Sequence, residues 1–315
     1  MATDPSARPG TGDVAAASTG AAGSRSPVGA LLVSLRPTQW VKNLALLAAP
    51  IFARRMTSPA SLRAITVGIG AFCLLASAVY LLNDIVDRPM DSRHPRKRRR
   101  PVAAGELSVP AAGVAAVLVL IGGFALSATL GPQFVGVALS YVLLQLLYTM
   151  WLKNVVILDV FGIAAGFVLR VVAGAEAVIV PISNWLYLCT LFLSLLLALA
   201  KRRAELTLLG GEAVHHRQIL AQYTGPMVDQ LVSMLSACTV LAYALYTVSP
   251  ETVQRFGSDH LKFTVPFVLF GLFRYIYLVH HEGAGGEPER VLLFDPPMQL
   301  NLLGYLATVA WVLYG

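Results

Sequence analysis

Charged side chains are scarce in this sequence of 315 residues. Asp, Glu, Lys and Arg together make up 13% of the chain, whereas hydrophobic residues make up 56%. A soluble domain carries roughly 25% charged residues. Because the deficit extends along almost the whole chain, it excludes a soluble domain held by a single membrane anchor. The composition therefore predicts a membrane protein with many spans.

Acidic residues and cysteines are also few. The 17 acidic and 24 basic residues leave a net charge of +7, which in a soluble protein could indicate a nucleic-acid partner. In a chain this apolar we expect basic cytoplasmic loops at an anionic membrane face instead, and no nucleic-acid partner. The three cysteines, Cys73, Cys189 and Cys238, lie far apart in apolar runs. Their spacing indicates neither a disulfide framework nor a zinc site.

The first 28 residues lack large apolar side chains and are rich in Ala, Gly, Ser, Thr and Pro. Such a segment cannot bury enough surface to order itself, and it has no apolar core of a signal peptide. We therefore expect residues 1–28 to form a disordered cytoplasmic tail. Residues 29–315 are expected to form one transmembrane domain.

Apolar stretches long enough to cross a membrane recur after the tail. Several contain charged residues, such as Arg36 and Lys42 in the first stretch and Asp159 and Arg170 in the fifth. Charges inside spans are costly and usually line a cavity. We predict nine spans, at residues 31–53, 60–82, 109–130, 133–152, 155–178, 184–200, 226–248, 263–281 and 296–314.

The distribution of Lys and Arg between the links predicts the orientation of these spans. Seventeen lie in the N-terminal segment through Lys42 and in the links after spans two, four, six and eight, whereas five lie on the opposite side. This difference predicts a cytoplasmic N-terminus and an outside C-terminus. The polar residues collect on the cytoplasmic side, which favours a catalytic mouth there over a transporter with polar groups near the membrane midplane.

The segment Asn83 to Asp91 is the strongest chemical signal. Asp84, Asp87 and Asp91 are spaced so that a helix would bring them to one face, with Asn83 one turn before Asp87. Hard oxygen ligands at this spacing suit Mg²⁺, which shares its coordination with substrate phosphates. We predict that Asn83, Asp84 and Asp87 hold the metal of a Mg²⁺-diphosphate. Pro89 is expected to end or kink the helix and to leave Asp91 on a loop. The alternative is a solvated acidic helix end beside a basic run.

With nine predicted spans, this motif resembles the first aspartate-rich motif of the UbiA prenyltransferase superfamily. The resemblance covers nearly everything after the tail. It implies an all-α bundle of nine transmembrane helices with a cytoplasm-facing active-site cavity, and Mg²⁺ as cofactor. Family members carry a second D-x-x-x-D in the link after the sixth span, where this chain has Lys201-Arg202-Arg203-Ala204-Glu205. That change replaces a second metal site with an anion site; the alternative is a basic cap on a span.

Three further stretches narrow the resemblance. The stretches are Arg36-Pro-Thr-Gln-Trp-Val-Lys42-Asn43, the segment from Tyr148 to Lys153-Asn154, and Arg274-Tyr275 with the polar link that follows. They are similar to the decaprenyl-phosphate phosphoribosyltransferase branch of mycobacteria and related actinobacteria. The resemblance implies transfer of the 5-phosphoribosyl group of phosphoribosyl diphosphate to decaprenyl phosphate in the plasma membrane, for cell-wall arabinan synthesis. It also allows a homo-oligomer, such as a trimer. The alternatives are transfer of a prenyl group to a small acceptor, or a lipid transporter.

The expected site combines the metal ligands with cations for three phosphate groups. We expect Asp84, Asp87 and Lys153 to be catalytic. Arg96 to Arg100 either attract substrate or act only as a topology signal. Asp159 either contacts substrate or pairs with a cation such as Lys153, and Arg170 is expected to be structural. The expected substrate-binding residues are Lys42, Asn43, Tyr80, Asp91, Arg93, Lys97, Tyr148, Lys201, Arg202, Arg203, Glu205 and Arg274.

Residues of the polar links are expected to stay outside the chemistry. His215, His216, His280 and His281 have no zinc-like arrangement and are expected at the surface, and Gly283–Gly286 is expected to form a flexible flap. Lys42 could alternatively extend to the membrane interface without touching substrate. We expect membrane lipids to surround the bundle. The polyprenyl tail is expected to lie in a groove that opens to these lipids.

Overall fold

The computed structural model describes residues 25–93, 97–209, 218–281, 291 and 294–314. Throughout these ranges every regular element is helical, so the all-α prediction is confirmed. Of the expected tail, residues 1–24 lie outside the described part, and the first helix already begins at Pro27. Also outside it are Arg96, His215, His216 and Gly283–Gly286.

Twelve α-helices follow one another along the described ranges, with short 3₁₀ segments between some of them. In chain order they are α1 (Pro27–Ser34), α2 (Ala48–Phe52), α3 (Pro59–Val86), α4 (Arg88–Asp91), α5 (Val109–Ala128), α6 (Pro132–Met150), α7 (Leu158–Ala177), α8 (Asn184–Leu209), α9 (Gly225–Val248), α10 (Pro250–Phe256), α11 (Val265–His281) and α12 (Pro296–Tyr314). The longer 3₁₀ segments are Pro37–Leu47, Gln218–Gln222 and His260–Thr264.

Seven helices of the described chain are long and apolar enough to cross a membrane, which makes this a multi-pass membrane protein. They are Pro59–Val86, Val109–Ala128, Pro132–Asn154, Leu158–Ala177, Asn184–Thr207, Gly225–Val248 and His260–His281. Each corresponds to one of the predicted spans two to eight. The predicted ninth span is the helix α12, whose first turns carry Gln299 and Asn301. The Asn301 amide donates to the Phe267 carbonyl oxygen at 3.0 Å, so α11 satisfies this polar group.

The first predicted span, residues 31–53, is not one continuous helix. Helix α1 ends at Ser34, and Arg36 adopts a left-handed backbone conformation with φ +53°. Pro37 disfavours a helical conformation at the residue before it, which explains the break. The chain continues as the 3₁₀ segment Pro37–Leu47, which packs very closely on α7: a Cβ added to Gly174 would lie 1.9 Å from the Leu46 carbonyl oxygen.

Helix α7 is the central element of the bundle. It contacts α6, α8, α2 and the 3₁₀ segment Pro37–Leu47. Its buried positions are mostly small, for example Gly162, Ala164, Gly166 and Ala173. Small residues let neighbouring helices approach closely in a membrane, where apolar burial alone does not drive helix association. The beginning of α7 is therefore held firmly among its neighbours.

The polar side chains gather at one end of the bundle. Contacts between the ends of α3, α6, α8 and α11 and the starts of α7, α9 and α12 bring these helix ends to one face. Arg54, before the start of α3, lies at the other end, where its guanidinium group reaches the carbonyl oxygens of Phe256 and Val312 at 3.4 Å. The face with the acidic segment is called the motif face below.

Candidate active site

The acidic segment lies where α3 reaches the motif face. Asn83 and Asp84 belong to the last turn of α3, and Asp87 caps its C-terminus. The helix ends shortly before Pro89, which cannot donate the backbone hydrogen bond that would continue it. The expectation that Asp91 lies on a loop is wrong, because Asp91 belongs to the short helix α4. Its side chain is buried, as is that of Asp84, with 3% and 2% exposure.

Two arginines contact the buried carboxylates. The Arg36 guanidinium group donates to Asp84 Oδ1 and lies 4.9 Å from the centre of the Tyr80 ring. Arg100 Nη1 lies 3.3 Å from the same Asp84 oxygen and 2.6 Å from Asp91 Oδ2. Buried carboxylates require such partners because an unpaired charge is costly to bury. Tyr80, predicted from the sequence as a site residue, thus borders the acidic segment through Arg36.

The end of α6 supplies the polar contacts on another side of the acidic segment. Thr149 Oγ1 donates to Asn83 Oδ1 at 2.7 Å, and Lys153 Nζ lies 3.0 Å from Asp87 Oδ1. The Lys153 and Asp87 side chains are 23% and 28% exposed, so a solute can reach both. The structure thereby places Lys153 on Asp87, while the predicted ligands Asn83, Asp84 and Asp87 lie at the same end of α3.

Tyr148 lies in the last turn of α6 and packs against the start of α7. A Cβ added to Gly162 would lie 2.9 Å from Tyr148 Cδ2, so the ring occupies the space that only glycine leaves open. Lys42 Nζ donates to Gln39 Oε1 within the 3₁₀ segment Pro37–Leu47. This contact folds the Lys42 side chain back onto the 3₁₀ segment that carries it.

Asn43, predicted as a substrate contact, is fully buried. Its Oδ1 accepts from Arg170 Nε at 2.8 Å, and its Nδ2 donates to Cys73 Sγ at 3.3 Å. Arg170 also donates to the Gly166 carbonyl oxygen and to the Tyr141 hydroxyl. Both ends of the Asn43 amide are therefore engaged in a structural network, in which Arg170 has the structural role expected for it.

The Lys201–Glu205 stretch lies on a helix and not in a link, because α8 continues to Leu209. Arg202 is 1% exposed, and its Nε donates to Asp159 Oδ2 at 2.7 Å. Its Nη1 donates to Glu205 Oε2 at 2.5 Å. Asp159 therefore pairs with Arg202 and not with Lys153, whose partner is Asp87. In this geometry Arg202 and Asp159 are both closed off from solvent.

Arg203 and Arg274 pair with carboxylates on neighbouring helices. Arg203 Nε donates to Asp229 Oδ1 at 2.7 Å, and His280 Nε2 lies 3.4 Å from the same oxygen. Arg274 makes a two-point contact with Asp295, with distances of 2.8 and 3.1 Å. The Arg274 hydrogen bond holds the pKa of Asp295 below its ordinary value. These pairs tie α8, α9, α11 and the start of α12 together at the motif face.

The remaining predicted cations are more open. Lys201 is half-buried on α8, whereas Arg93 and Lys97 are exposed beside the acidic segment. Lys97 begins the short 3₁₀ turn Lys97–Arg99, which brings Arg100 to the carboxylates. The basic run thus has a direct structural contact with the acidic segment, in addition to its value as a topology signal.

Sequence reasoning left several residues out of the site. Arg36 and Arg100 stood within stretches already singled out, but their conformations depend on Pro37 and on the turn Lys97–Arg99. No sequence signal indicated Thr149, Tyr223 or Asp229, because their partners come from distant segments.

The acidic segment carries the types of side chain that a shared metal–phosphate site requires. Among the described residues, no three His, Cys, Asp or Glu side chains form a cluster that could hold a metal. Asn83, Asp84 and Asp87 nevertheless offer hard oxygen atoms, and Mg²⁺ commonly completes its coordination with water and substrate phosphates. Arg36, Arg100 and Lys153 are suitable partners for phosphate oxygens. These residue types would suit a metal–diphosphate.

Known proteins resemble this chain over most of its length. The model of the UbiA prenyltransferase family matches residues 44–303. A protein of Mycolicibacterium smegmatis named decaprenyl-phosphate phosphoribosyltransferase is 32% identical over 91% of this chain and 93% of its own. A protein of the same name from Corynebacterium glutamicum is 33% identical over 90% of this chain and 86% of its own.

A solved structure shares the fold. The structure of a UbiA homologue from Archaeoglobus fulgidus bound to GPP and Mg²⁺ superposes with a TM-score of 0.68. The match covers 91% of this chain and 100% of the other, at 19% sequence identity. At this identity the likeness establishes the helical arrangement alone.

Proposed function

Because the chain belongs to the UbiA prenyltransferase family, we propose that it is a membrane-bound pentosyltransferase acting at the motif face. It transfers the 5-phosphoribosyl group of phosphoribosyl diphosphate to decaprenyl phosphate. The products are decaprenylphosphoryl-5-phosphoribose, which serves cell-wall arabinan synthesis, and diphosphate. Relatives that are 32% and 33% identical across most of both chains carry the name of this activity.

One structural observation carries the choice of substrates. The acidic segment is bordered by Arg36, Arg100 and Lys153. In the Lys201–Glu205 stretch, where the resemblance implies a second aspartate motif in other family members, Arg202 forms a buried pair with Asp159. Within the described ranges this leaves the end of α3 as the acidic face proposed for a metal, with several cations around it. Phosphoribosyl diphosphate and a polyprenyl phosphate together present three anionic groups, which cations must hold.

Mg²⁺ is the proposed metal, held by Asn83, Asp84 and Asp87. Their oxygen atoms fit a hard cation that shares its coordination with a diphosphate. When bound, the metal would neutralise charge on the departing diphosphate. Lys153 lies 3.0 Å from Asp87, so its ammonium group can pass to a diphosphate oxygen without a large movement.

The other proposed substrate-binding residues differ in how directly they act. Arg202, which also bonds Glu205, holds the start of α7 through Asp159, whereas Asn43 is tied with Arg170 into a buried structural network. The residues proposed to contact or border a phosphate group are Arg36, Lys42, Tyr80, Asp91, Arg93, Lys97, Arg100, Tyr148, Lys201, Arg203 and Arg274.

The proposed step is a displacement at the anomeric carbon of the ribose. An oxygen of the acceptor phosphate forms a bond to C1 as the bond from C1 to the diphosphate oxygen breaks. The acceptor is already anionic near neutral pH, so no general base has to remove a proton. Inversion at C1 gives a β-linked phosphodiester. The protein contributes by holding both anions in line and by stabilising the developing charge.

We further propose how the protein sits in its membrane. Nine spans, two more than the seven candidate helices of the described chain, place the motif face and the N-terminus on the cytoplasmic side of the plasma membrane. The C-terminus would then lie outside. A groove between the helices opens to membrane lipids and admits the polyprenyl tail, and the protein associates as a homo-oligomer such as a trimer.

The function is tested with purified protein in detergent. Radiolabelled phosphoribosyl diphosphate and decaprenyl phosphate should give a labelled lipid that requires Mg²⁺ and no membrane gradient. The alternative, prenyl transfer from a prenyl diphosphate to a small acceptor, is tested in parallel with labelled prenyl diphosphate. A product only in the second assay would overturn the proposal. A labelled lipid in neither assay, with movement of lipid across vesicles, would favour a transporter.

A further inference from the structure

The connection between α6 and α7 contains a strained residue close to Lys153. Ile157 has φ +69° and ψ −44°, directly before the first residue of α7. A β-branched residue rarely adopts a positive φ, and such a conformation persists only where the surrounding structure enforces it. A specific contact must therefore hold the Ile157 backbone in this conformation.

That contact is the hydroxyl group of Tyr223, from the link before α9. The Ile157 N–H donates to Tyr223 Oη at 2.8 Å, and the same hydroxyl donates to Asp159 Oδ1 at 2.6 Å. Tyr223 is 3% exposed. Burial, followed by the hydrogen bond to Asp159, raises the pKa of Tyr223, so the phenol keeps its proton and can make both contacts. Arg202 holds the other Asp159 oxygen at 2.7 Å.

The strained residue is coupled to Lys153 through the backbone. The Asp159 N–H donates to the Val155 carbonyl oxygen at 3.1 Å, and the Val155 N–H donates to the Leu152 carbonyl oxygen at 3.1 Å. Lys153 lies within the turn Leu152–Asn154 that the second of these bonds closes. A shift at Ile157 would therefore move the turn that presents the Lys153 side chain to Asp87.

We propose that Tyr223 is a positioning residue of the transfer reaction, whose hydroxyl group fixes the strained peptide at Ile157 and thereby holds Lys153 opposite Asp87. The proposal rests on the function proposed above, in which Lys153 binds the donor diphosphate. Tyr223 touches neither substrate, and it acts through the turn Leu152–Asn154.

The first test measures the anchor without using activity. Tyr223→Phe removes only the hydroxyl group, and Tyr243→Phe is the matched control. Tyr243 is also buried and bonded through its hydroxyl, to Thr264 Oγ1 at 2.7 Å, but it lies in a different cluster. Hydrogen–deuterium exchange should show Ile157 exchanging about 5- to 10-fold faster in Tyr223→Phe and unchanged in the control. Unchanged exchange in Tyr223→Phe would overturn the proposal.

The second test measures the consequence for the reaction. Tyr223→Phe should lower kcat/KM for phosphoribosyl diphosphate about 10-fold, a typical effect of removing a residue that orients a ligand, with the KM for polyprenyl phosphate unchanged. Adding Ile157→Gly should restore part of the loss, because glycine adopts a positive φ without strain. A kcat/KM within twofold of the wild type, or no recovery with Ile157→Gly, contradicts the proposal.

These readouts separate this proposal from the function on which it rests. If the wild type turns over no phosphoribosyl diphosphate, the proposed function fails, whatever the exchange at Ile157. If the wild type is active and Tyr223→Phe behaves like the Tyr243→Phe control, only the positioning role fails.

Discussion

The ammonium group of Lys153 lies 3.0 Å from Oδ1 of Asp87, and this contact joins the α6–α7 connection to the acidic segment at the end of α3. Both side chains remain about one quarter exposed, at 23% and 28%. A pair this open to solvent contributes only about 0–1 kcal/mol to stability. Its position is better explained by the ligands that we propose for each partner, a diphosphate oxygen for Lys153 and a metal for Asp87.

Exchanging the two residues of this pair tests whether they serve ligand binding or only the stability of the fold. We expect Asp87→Lys and Lys153→Asp each to abolish measurable lipid product. The double variant restores the ion pair but puts an ammonium group where the metal ligand should be, so it should remain inactive while unfolding within about 1 kcal/mol of the wild type. Thermal unfolding and the labelled-lipid assay measure the two properties. Recovery of activity in the double variant would show that the pair is only structural.

The metal assignment predicts a specific loss at the acidic segment. Asp84→Asn and Asp87→Asn keep the side-chain shape but weaken the oxygen ligands, so each should lower Mg²⁺-dependent turnover by at least about 100-fold. Asp259→Asn is the control, because Asp259 pairs with Lys262 at the far end of the bundle. Direct binding of Mg²⁺ with diphosphate, followed by calorimetry, should weaken in the same two variants. Normal turnover in either variant would contradict the assignment.

The buried pair Arg202–Asp159 predicts a loss of stability. Arg202→Met leaves Asp159 buried without its cation, which should destabilise the fold by about 3–5 kcal/mol. Arg202→Met with Asp159→Asn removes both charges and should recover a large part of this. Thermal unfolding in detergent measures both. A stable Arg202→Met protein that no longer binds phosphoribosyl diphosphate would instead support direct substrate contact by Arg202.

The contact between Arg274 and Asp295 predicts a pH dependence. Because the pKa of Asp295 is lowered in the folded protein, its contribution to stability is present above the ordinary aspartate pKa of 3.8 and is lost as the pH falls through the lower folded pKa. Asp295→Asn should therefore lower the Tm at pH 7, and the difference from the wild type should shrink below about pH 4. An equal difference at both pH values would exclude this ion pair as the cause.

The sequence predicted those parts of the fold that depend on local pattern. Spans two to eight emerged from apolar runs of the right length, and each corresponds to a long helix. The first span was predicted less well, because Arg36 and Pro37 interrupt it through a backbone conformation that hydropathy does not record. The Lys201–Glu205 stretch was placed in a link because its charge resembles that of a loop, but α8 continues through it by burying Arg202 against Asp159.

For the site, too, the sequence predicted what depends on local spacing and missed what depends on contacts between distant segments. Asn83, Asp84 and Asp87 share one helix end, which their spacing alone predicted, and Lys153 followed from the resemblance. Tyr223 lies far from Ile157 in the sequence and meets it only through the packing of α7, α8 and α9. No local pattern could indicate that contact.

Mass spectrometry of the lipid product tests the central claim most directly. Purified protein is supplied with Mg²⁺, phosphoribosyl diphosphate and decaprenyl phosphate, and in a parallel reaction with a prenyl diphosphate and an aromatic acceptor. We predict a decaprenyl phosphate that has gained one 5-phosphoribosyl group, with one diphosphate released for each lipid formed. A prenylated acceptor from the second reaction, with no phosphoribosylated lipid from the first, would contradict the account.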